Sequence, residues 1–292
     1  MPLWYHPGVR ALAWTVWEHT PEWARRVVRP ALAALRRRRR VHTPAVARPD
    51  LPADAVELDT ALGTLWFDAA DRHVTPWVRR QGVWEADVMK LLTRALRPGG
   101  VFVDVGANVG FHTVLAAQRV GPAGTVHAVE PAPWTLALLR ANLARHEVDA
   151  VVHDVAASDV RGVVRLAVEP SHRSGAQLAE EGVEVRAKTL DELVPSGVVD
   201  VLKVDVEGAE PLVLRGARDL LRRSLRLLAI VEFRDATHGS GETAAEVLAF
   251  YESLGFELCL LRRSGELERR SAADVLAHAR DLESLNLVLR RP

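Results

Sequence analysis

The chain has 292 residues, of which 48% are hydrophobic and 26% charged, so it is long enough to bury a substantial core and has the composition of a soluble globular protein. Its net charge is zero, but residues 1–48 hold ten arginines against two glutamates, and the rest of the chain carries 28 basic and 36 acidic side chains. Such an acidic body argues against nucleic-acid binding, and the single cysteine, Cys259, excludes an internal disulfide and a cysteine-based zinc cluster. We expect a cytoplasmic protein that acts on a small molecule.

Residues 1–50 are predicted to form a helical arm and a linker. They contain four of the eight tryptophans and five consecutive arginines at 36–40. Charged residues interrupt the apolar stretches before they reach the roughly 18 residues of a membrane-spanning helix, and the charge order is opposite to that of a secretion signal. Two interpretations stay open: helices that pack on the rest of the protein, or peripheral contact with the inner membrane surface through residues 1–48.

Residues 51–97 are predicted to form a cap made of a hairpin and a helix. The segment 55–78 alternates irregularly and contains Gly63 and Pro76, which is typical of a short hairpin. Residues 84–96 have apolar positions at the helical period, and a Pro-Gly-Gly sequence follows them. We expect this cap to lie over a ligand site in the domain at 98–292.

From residue 98 onward strands and helices are predicted to alternate, which indicates a doubly wound α/β fold with a parallel sheet covered on both faces. The predicted strands are 101–105, 125–130, 150–155, 200–205, 227–233, 256–261 and 285–290. Ligands of such sheets bind beyond the carboxyl ends of the strands. Five carboxylates fall at these ends: Asp104, Glu130, Asp154, Asp205 and Glu232.

The segment 101–110, Val-Phe-Val-Asp-Val-Gly-Ala-Asn-Val-Gly, joins an apolar strand to a glycine turn and a helix start. Gly106 and Gly110 allow a tight turn and a close approach of a ligand to the backbone, but Asn108 stands where a dinucleotide fingerprint has glycine. Glu130, at the end of the next strand, is placed to accept hydrogen bonds from ribose hydroxyls. The pattern favours S-adenosylmethionine, which has no phosphate, with Asp104 suited to its sulfonium.

Four ordered segments resemble the FkbM family of S-adenosylmethionine-dependent methyltransferases: 104–113, 129–131, 189–193 and 199–210. The resemblance implies a class I methyltransferase fold, Rossmann-like, with a mostly parallel seven-stranded sheet and an antiparallel last strand. It also implies methyl transfer to a hydroxyl of a sugar or secondary metabolite. One departure is that members often carry a histidine soon after Val-Glu-Phe, whereas here Arg234 follows and His238 comes later.

The candidate cofactor-binding residues are Asp104, Gly106, Asn108, Gly110, Glu130 and Asp154. The candidate catalytic residues are Asp205, Glu232 and His238, because a hydroxyl acceptor loses a proton that each of them could accept. No metal motif is present, although Asp205 and Glu232 would hold Mg²⁺ if they converge. Lys203 should pair with Asp205 on the same strand face, and Glu207 and Glu210 should charge the first turn of the next helix.

Motifs of other enzyme classes are missing from the sequence: it has no phosphate-binding P-loop, no His-Glu-x-x-His zinc motif and no Gly-x-Ser-x-Gly elbow. Three functions stay open. The first is an O-methyltransferase acting on a sugar or secondary-metabolite hydroxyl. The second is an N- or carboxyl-methyltransferase on a small molecule. The third is a non-catalytic, membrane-associated binding module with the same fold.

Overall fold

The computed structural model of the protein describes residues 51–169, 171–236 and 241–292. The predicted arm at 1–50 and the candidate residue His238 lie outside the described residues. In chain order the strands are β1 (Ala55–Thr60), β2 (Gly63–Asp68), β3 (Val101–Val105), β4 (Thr125–Val129), β5 (Val151–His153), β6 (Ala156–Ala157), β7 (Gly162–Glu169), β8 (His172–Leu178), β9 (Val183–Lys188), β10 (Val201–Val204), β11 (Leu228–Phe233), β12 (Glu257–Leu261), β13 (Leu267–Arg270) and β14 (Leu285–Arg290). The helices are α1 (Val74–Gln81), α2 (Ala86–Ala95), α3 (Phe111–Val120), α4 (Pro133–Arg145), α5 (Leu190–Leu193), α6 (Glu210–Arg215), α7 (Arg218–Arg223), α8 (Ala244–Ser253) and α9 (Ala272–Ala279).

Eight strands form the central sheet, in the spatial order β13-β12-β14-β11-β10-β3-β4-β5. The neighbours from β11 to β5 run parallel, while β14 lies antiparallel between β11 and β12. Chain order reverses between β3 and β10, which makes that pair the topological switch point of the sheet. This is the class I methyltransferase arrangement that the resemblance implies, including its antiparallel last strand.

The predicted strands are all present, with ends shifted by at most two residues, because β3, β10 and their neighbours are buried apolar runs. The central sheet has eight strands, one more than the seven that were predicted. β13 forms an antiparallel hairpin with β12 at the edge of the sheet, and its sequence, Leu-Glu-Arg-Arg, has one apolar residue. Such a segment shows neither an apolar run nor an apolar alternation, so its pattern did not predict a strand.

A second sheet of four strands, in the order β6-β9-β7-β8, occupies a region where no element was predicted. β7 pairs antiparallel with both β8 and β9. A signal was present in the sequence, because the buried residues Leu166, Val185 and Ala187 alternate with exposed charged residues such as Glu184 and Arg186. Period-two alternation of this kind indicates a half-buried strand.

The region before β3 contains a two-stranded hairpin, β1–β2, followed by α1 and α2. The predicted hairpin over 55–78 was too long, because it ends at Asp68 and Val74–Gln81 is helical. Pro76 is compatible with α1 because it lies in the first turn, where backbone N–H groups have no intrahelical partner. The helix predicted at 84–96 corresponds to α2. The division at residue 97 between cap and catalytic domain stays a prediction.

Asn142 in α4 joins the β1–β2 hairpin to the glycine turn. Its side chain accepts a hydrogen bond from the backbone N–H of Trp66 at 2.6 Å and donates to the carbonyl of Trp66 at 2.9 Å. It also donates to the carbonyl of Val109 at 2.8 Å. One fully buried amide therefore fixes β2 against the turn after β3.

The helices within 51–169, 171–236 and 241–292 are all too short or too polar to cross a bilayer.

Candidate active site

A cleft of about 640 Å³, including its open mouth, lies beyond the carboxyl ends of β3, β4 and β10. Its central-sheet wall includes Gly106, Asn108, Glu130 and Asp205. The opposite wall comes from the second sheet and consists of Leu166, Arg173, Ser174, Ala176 and Leu178. The cleft therefore sits at the topological switch point, with the second sheet as a cover that the sequence analysis did not predict.

The glycine turn after β3 packs directly against the turn after β10. Gly106 has φ +80°, and a Cβ atom there would lie 1.9 Å from the backbone oxygen of Asp205. Gly110 has φ +86°, and a Cβ atom there would lie 2.4 Å from Leu139. Both positions therefore require glycine for close packing as well as for a left-handed backbone. Gly106 brings the candidate cofactor turn against the backbone of the candidate catalytic residue.

Glu130 is buried directly after β4, and its carboxylate joins the chain that follows β4 to the glycine turn after β3. Its Oε2 accepts a hydrogen bond from the backbone N–H of Asn108 at 2.7 Å, and its Oε1 accepts one from Ala132 at 2.8 Å. Burial raises the pKa of Glu130, and these two N–H donors oppose that effect. The carboxylate is thus held rigidly in the cleft wall, with further lone pairs available to a hydroxyl-bearing ligand.

Asp104 lies behind the cleft wall. Its carboxylate accepts a hydrogen bond from the hydroxyl of Thr113 at 2.6 Å, and its neighbour across the β3–β10 pairing is Lys203. Burial raises the pKa of Asp104 to about 6, although the positive charge of Lys203 opposes the shift. The structure brings Asp104 to this internal network, and the cleft lining does not include it.

Asp154 is also outside the cleft lining. It follows β5 and is exposed, and it accepts a hydrogen bond from Arg186 of β9 at 2.7 Å. The structure therefore does not bring Asp154 together with Glu130 and the glycine turn. A strand-end position alone did not determine which way this side chain points.

Lys203 is a buried cation beneath the site. Its Nζ lies 2.6 Å from Asp205 Oδ2 and 3.6 Å from Glu85 Oε2. Burial disfavours the ammonium, but Asp205, Glu85 and Asp104 outweigh burial and raise the pKa of Lys203. The predicted pairing of Lys203 with Asp205 is confirmed, and it holds the Asp205 carboxylate in one orientation.

Glu85 and His112 complete the buried network. Glu85 has φ +42°, a strained value for a residue other than glycine, and its Oε1 accepts a hydrogen bond from Asn286 at 2.6 Å. Its Oε2 lies 3.7 Å from Nδ1 of His112. Burial, followed by the charge of Lys203, lowers the pKa of His112, so this imidazole is neutral at pH 7. Both residues lie in helix-start patterns, from which the sequence could not distinguish a role beside the ligand from ordinary packing.

We use the name carboxylate cluster for Asp205, Glu207 and Glu232, which follow or end β10 and β11. One oxygen of each lies within 4.8 Å of the others. Burial, followed by the charges of Asp205 and Glu207, raises the pKa of Glu232 to about 8. Asp205 and Glu232 therefore converge, which the sequence analysis had left open, and Glu207 joins them.

The prediction that Glu207 and Glu210 charge the first turn of the next helix is wrong for Glu207 and right for Glu210. Glu210 begins α6 and accepts hydrogen bonds from the backbone N–H groups of Val206 at 2.9 Å and Gly208 at 3.1 Å. Glu207 instead has φ +58° and turns its carboxylate to Arg234. The left-handed backbone at Glu207 belongs to a tight turn, and the helical spacing of Glu207 and Glu210 did not predict it.

Arg234 supplies a positive charge to the carboxylate cluster. Its Nη2 donates to Glu232 Oε2 at 2.9 Å and also to Glu207. The carboxylates outweigh burial and raise the pKa of Arg234. The sequence marked Arg234 only as a departure from the family pattern, and the structure gives that departure a physical role: the guanidinium compensates two of three neighbouring carboxylates.

Comparison with known proteins agrees with this geometry. The model of the methyltransferase FkbM domain matches residues 104–258. The chain is 34% identical over 187 residues to the 31-O-demethyl-FK506 methyltransferase FkbM of Streptomyces tacrolimicus. This alignment covers 51% of this chain and 71% of that protein. It is 32% identical over 151 residues to the hexuronic acid methyltransferase AglP of Haloferax volcanii. This alignment covers 50% of this chain and 62% of that protein.

Among solved structures, a TehB-like SAM-dependent methyltransferase from Corynebacterium glutamicum aligns over 76% of this chain and 98% of its own, with 14% identity and a TM-score of 0.43. The domain match covers the glycine turn, Glu130, Asp205 and Glu232, the residues from which the site was built. The chain therefore belongs to the FkbM methyltransferase family.

Proposed function

We propose that this protein transfers the methyl group of S-adenosylmethionine to a hydroxyl oxygen of a glycosyl or secondary-metabolite acceptor. The observation that carries the proposal is the position of the carboxylate cluster at the switch point, with Asp205 in the wall of the cleft that also contains Glu130. The two relatives, a 31-O-demethyl-FK506 methyltransferase and a hexuronic acid methyltransferase, support an acceptor of this kind.

The residues of the cleft fit the cofactor. Gly106 and Asn108 expose backbone beside the cleft, and Glu130 offers a rigid carboxylate that can accept hydrogen bonds from ribose hydroxyls. Leu166 and Ala176 form an apolar surface suited to a purine ring on the opposite side. When bound, S-adenosylmethionine supplies an electrophilic methyl carbon on a positively charged sulfur.

Asp205 orients the acceptor, and Glu232 removes the proton of its reacting hydroxyl. Asp205 is held by Lys203 and accepts a hydrogen bond from a neighbouring hydroxyl of the acceptor, which orients the reacting oxygen. Glu232, whose pKa is raised to about 8, takes the proton of the reacting hydroxyl as its oxygen bonds to the methyl carbon, and breaking of the bond between that carbon and sulfur would release S-adenosylhomocysteine. A carboxylate of this basicity is a stronger base than an ordinary glutamate and is still partly ionised near neutral pH.

A Mg²⁺ ion is the second way to activate the hydroxyl, and the convergence of three carboxylates favours testing it. Arg234 already compensates Glu207 and Glu232, so a cation would have to displace this pairing. Turnover measured in EDTA, with and without added Mg²⁺, separates the two mechanisms. Full activity in EDTA supports Arg234 as the compensating charge, whereas loss and recovery with Mg²⁺ supports the metal.

The first experiment is calorimetric titration of the full chain with S-adenosylmethionine and S-adenosylhomocysteine. Micromolar binding of both supports the cofactor and justifies a screen of hydroxylated acceptors by mass spectrometry, with a mass gain of one methylene as the readout. Absence of binding would overturn the proposal and favour a non-catalytic binding module. A product methylated on nitrogen or on a carboxyl group would overturn the hydroxyl assignment alone.

A further inference from the structure

Four aromatic rings meet beside the candidate active site, and we call them the aromatic platform: His73, Trp77, Trp84 and His172. The ring centroids of His73 and Trp84 are 5.7 Å apart at 74°, and those of Trp77 and Trp84 are 6.5 Å apart at 88°. His73 and His172 are 4.9 Å apart. The first two contacts are edge-to-face, a geometry that stabilises aromatic pairs, and the third is tilted at 44°, so the rings form one connected cluster.

The platform faces solvent. Trp77 is 46% exposed and His73 is exposed, although both are large rings in contact with other rings. Trp84 and His172 are half-buried, so the cluster is anchored in the protein on one side and open on the other. An exposed tryptophan held in a fixed cluster offers a ring face to a ligand.

Two features of the chain place the platform near the carboxylate cluster. Trp84 directly precedes Glu85, whose Oε2 lies 3.6 Å from Nζ of Lys203, the partner of Asp205. From the other side, His172 directly precedes Arg173 and Ser174 on β8, and those two residues line the same cleft as Asp205 and Glu207. The platform and the cluster therefore border the same region from β8 and from the segment before α2.

The platform is fixed in place by contacts between the β7–β8 hairpin and the segment before α1. Asp71 accepts a hydrogen bond from the backbone N–H of Ser174 at 2.9 Å, and the backbone N–H of Arg72 donates to the carbonyl of Ser171 at 2.8 Å. A Cβ atom on Gly175 would lie 2.6 Å from the ring of His172, so glycine there lets this ring lie across its own strand. Such preorganisation lowers the entropic cost of binding a ligand.

We propose that the aromatic platform binds a pyranose ring of the acceptor and presents one of its hydroxyls to the carboxylate cluster. This inference rests on the proposed methyl transfer and narrows its acceptor to a carbohydrate. A pyranose has an apolar C–H face that packs on an aromatic ring and a rim of hydroxyls that donate to carboxylates. The platform supplies the first surface, and Asp205 and Glu232 supply the second.

The test measures sugar binding directly on the full chain by saturation-transfer difference NMR, with methyl glucopyranoside and methyl glucuronide as probes. We expect saturation of the C–H protons of at least one probe in the wild type. Trp77→Ala should weaken its binding about tenfold, which corresponds to about 1.4 kcal/mol. Because Trp77 is exposed, this variant should fold, and thermal melting checks that it does.

Trp66→Ala is the matched control, since Trp66 lies on β2 and packs against Arg145 rather than on the platform. We expect it to bind the probe like the wild type. The affinity of Trp77→Ala for S-adenosylhomocysteine, measured by calorimetry, should stay within about twofold of the wild type, because that variant leaves the cleft wall intact.

The platform proposal is overturned if neither sugar is saturated by the wild type, or if Trp77→Ala binds the sugar as well as Trp66→Ala does. Binding of S-adenosylhomocysteine without sugar contact would leave methyl transfer standing and remove the platform. Sugar binding that depends on Trp77, without binding of S-adenosylhomocysteine, would keep the platform and remove the methyltransferase proposal.

Discussion

Glu232, the proposed base, lies in an unfavourable electrostatic environment. It lies beside Asp205 and Glu207, and burial together with these charges raises its pKa to about 8. In the folded protein the protonated form is therefore favoured over a wide pH range. Glu232 becomes a base only as it ionises, which links the pH dependence of the reaction to this one carboxyl.

We predict that turnover rises with pH through about 8, because proton removal requires ionised Glu232. Glu232→Gln should lower kcat by roughly 10²–10⁴-fold and remove this rise. The same raised pKa means that folding stability falls as pH rises from the unfolded value near 4.5 to about 8, so the variant should melt above the wild type at pH 9. Initial rates and thermal melting across pH 6–9 check both effects. An unchanged profile would remove Glu232 as the base.

For Asp205→Asn we predict at least about tenfold lower turnover, because the acceptor hydroxyl loses its orienting carboxylate. Since the charge of Asp205 helps to raise the pKa of Glu232, the rising limb of the pH profile should also move to lower pH. Cofactor affinity should change little. Asp219→Asn is the matched control, because Asp219 pairs with Arg222 on the exposed face of α7. A full rate for Asp205→Asn would contradict the assignment.

At the scale of elements, the turn after β3 and the turn after β10 behave as one unit because they touch through Gly106 and the backbone of Asp205. The glycine pattern therefore serves packing between strands as well as access for a ligand. Gly121 allows this packing effect to be separated from backbone strain. It also has a positive φ, but a Cβ atom there would have no described atom within 4 Å.

We predict that Gly106→Ala lowers the free energy of unfolding by more than Gly121→Ala. Both variants incur the strain of a positive φ, about 1 kcal/mol, but Gly106→Ala also forces the two turns apart. Urea unfolding of the two variants gives the comparison, and calorimetry should show weaker cofactor binding for Gly106→Ala. Equal destabilisation would mean that the turns separate without cost.

The second sheet shows which kinds of strand the sequence pattern predicts and which it does not. The apolar runs of β3, β4, β10 and β11 were read correctly because burial on both faces leaves few polar positions. β7 and β9 are half-exposed, and their alternating pattern is a weaker sequence signal than a continuous apolar run. Their place over the cleft could not be read from the pattern, because alternation reports a buried face and not the partner that buries it.

At the scale of the whole molecule, two histidines at the edge of the sheet tie stability to pH. Nδ1 of His127 on β4 and Nε2 of His153 on β5 lie 3.1 Å apart, with the rings 8° from parallel. One neutral ring donates and the other accepts. Burial lowers the pKa of both residues, and the charges of His127 and Lys188 add to the effect at His153.

We predict that the contribution of this histidine pair to the free energy of unfolding falls as pH drops below the ordinary histidine value of 6.5. The two histidines bind protons in the unfolded chain there that they bind in the folded protein only at lower pH, so their contribution, opposite in sign to that of Glu232, rises with pH across that window and levels off above it. Urea unfolding from pH 5 to pH 8 measures the slope. His127→Gln should reduce it, whereas His278→Gln, on α9 far along the chain, should leave it unchanged.

Local sequence patterns predict the strands of a mostly parallel sheet, the glycine turn after β3, and carboxylates at the ends of neighbouring strands, among them Asp205 and Glu232. These follow from local patterns, because parallel strands bring their carboxyl ends to one edge of a sheet. The tertiary structure alone decided that Asp104 is turned to Lys203, that Asp154 pairs with Arg186 outside the cleft, and that Glu207 and Arg234 join the cluster. Those outcomes depend on contacts between segments far apart in the chain and on left-handed turns, which leave no periodic trace in the sequence.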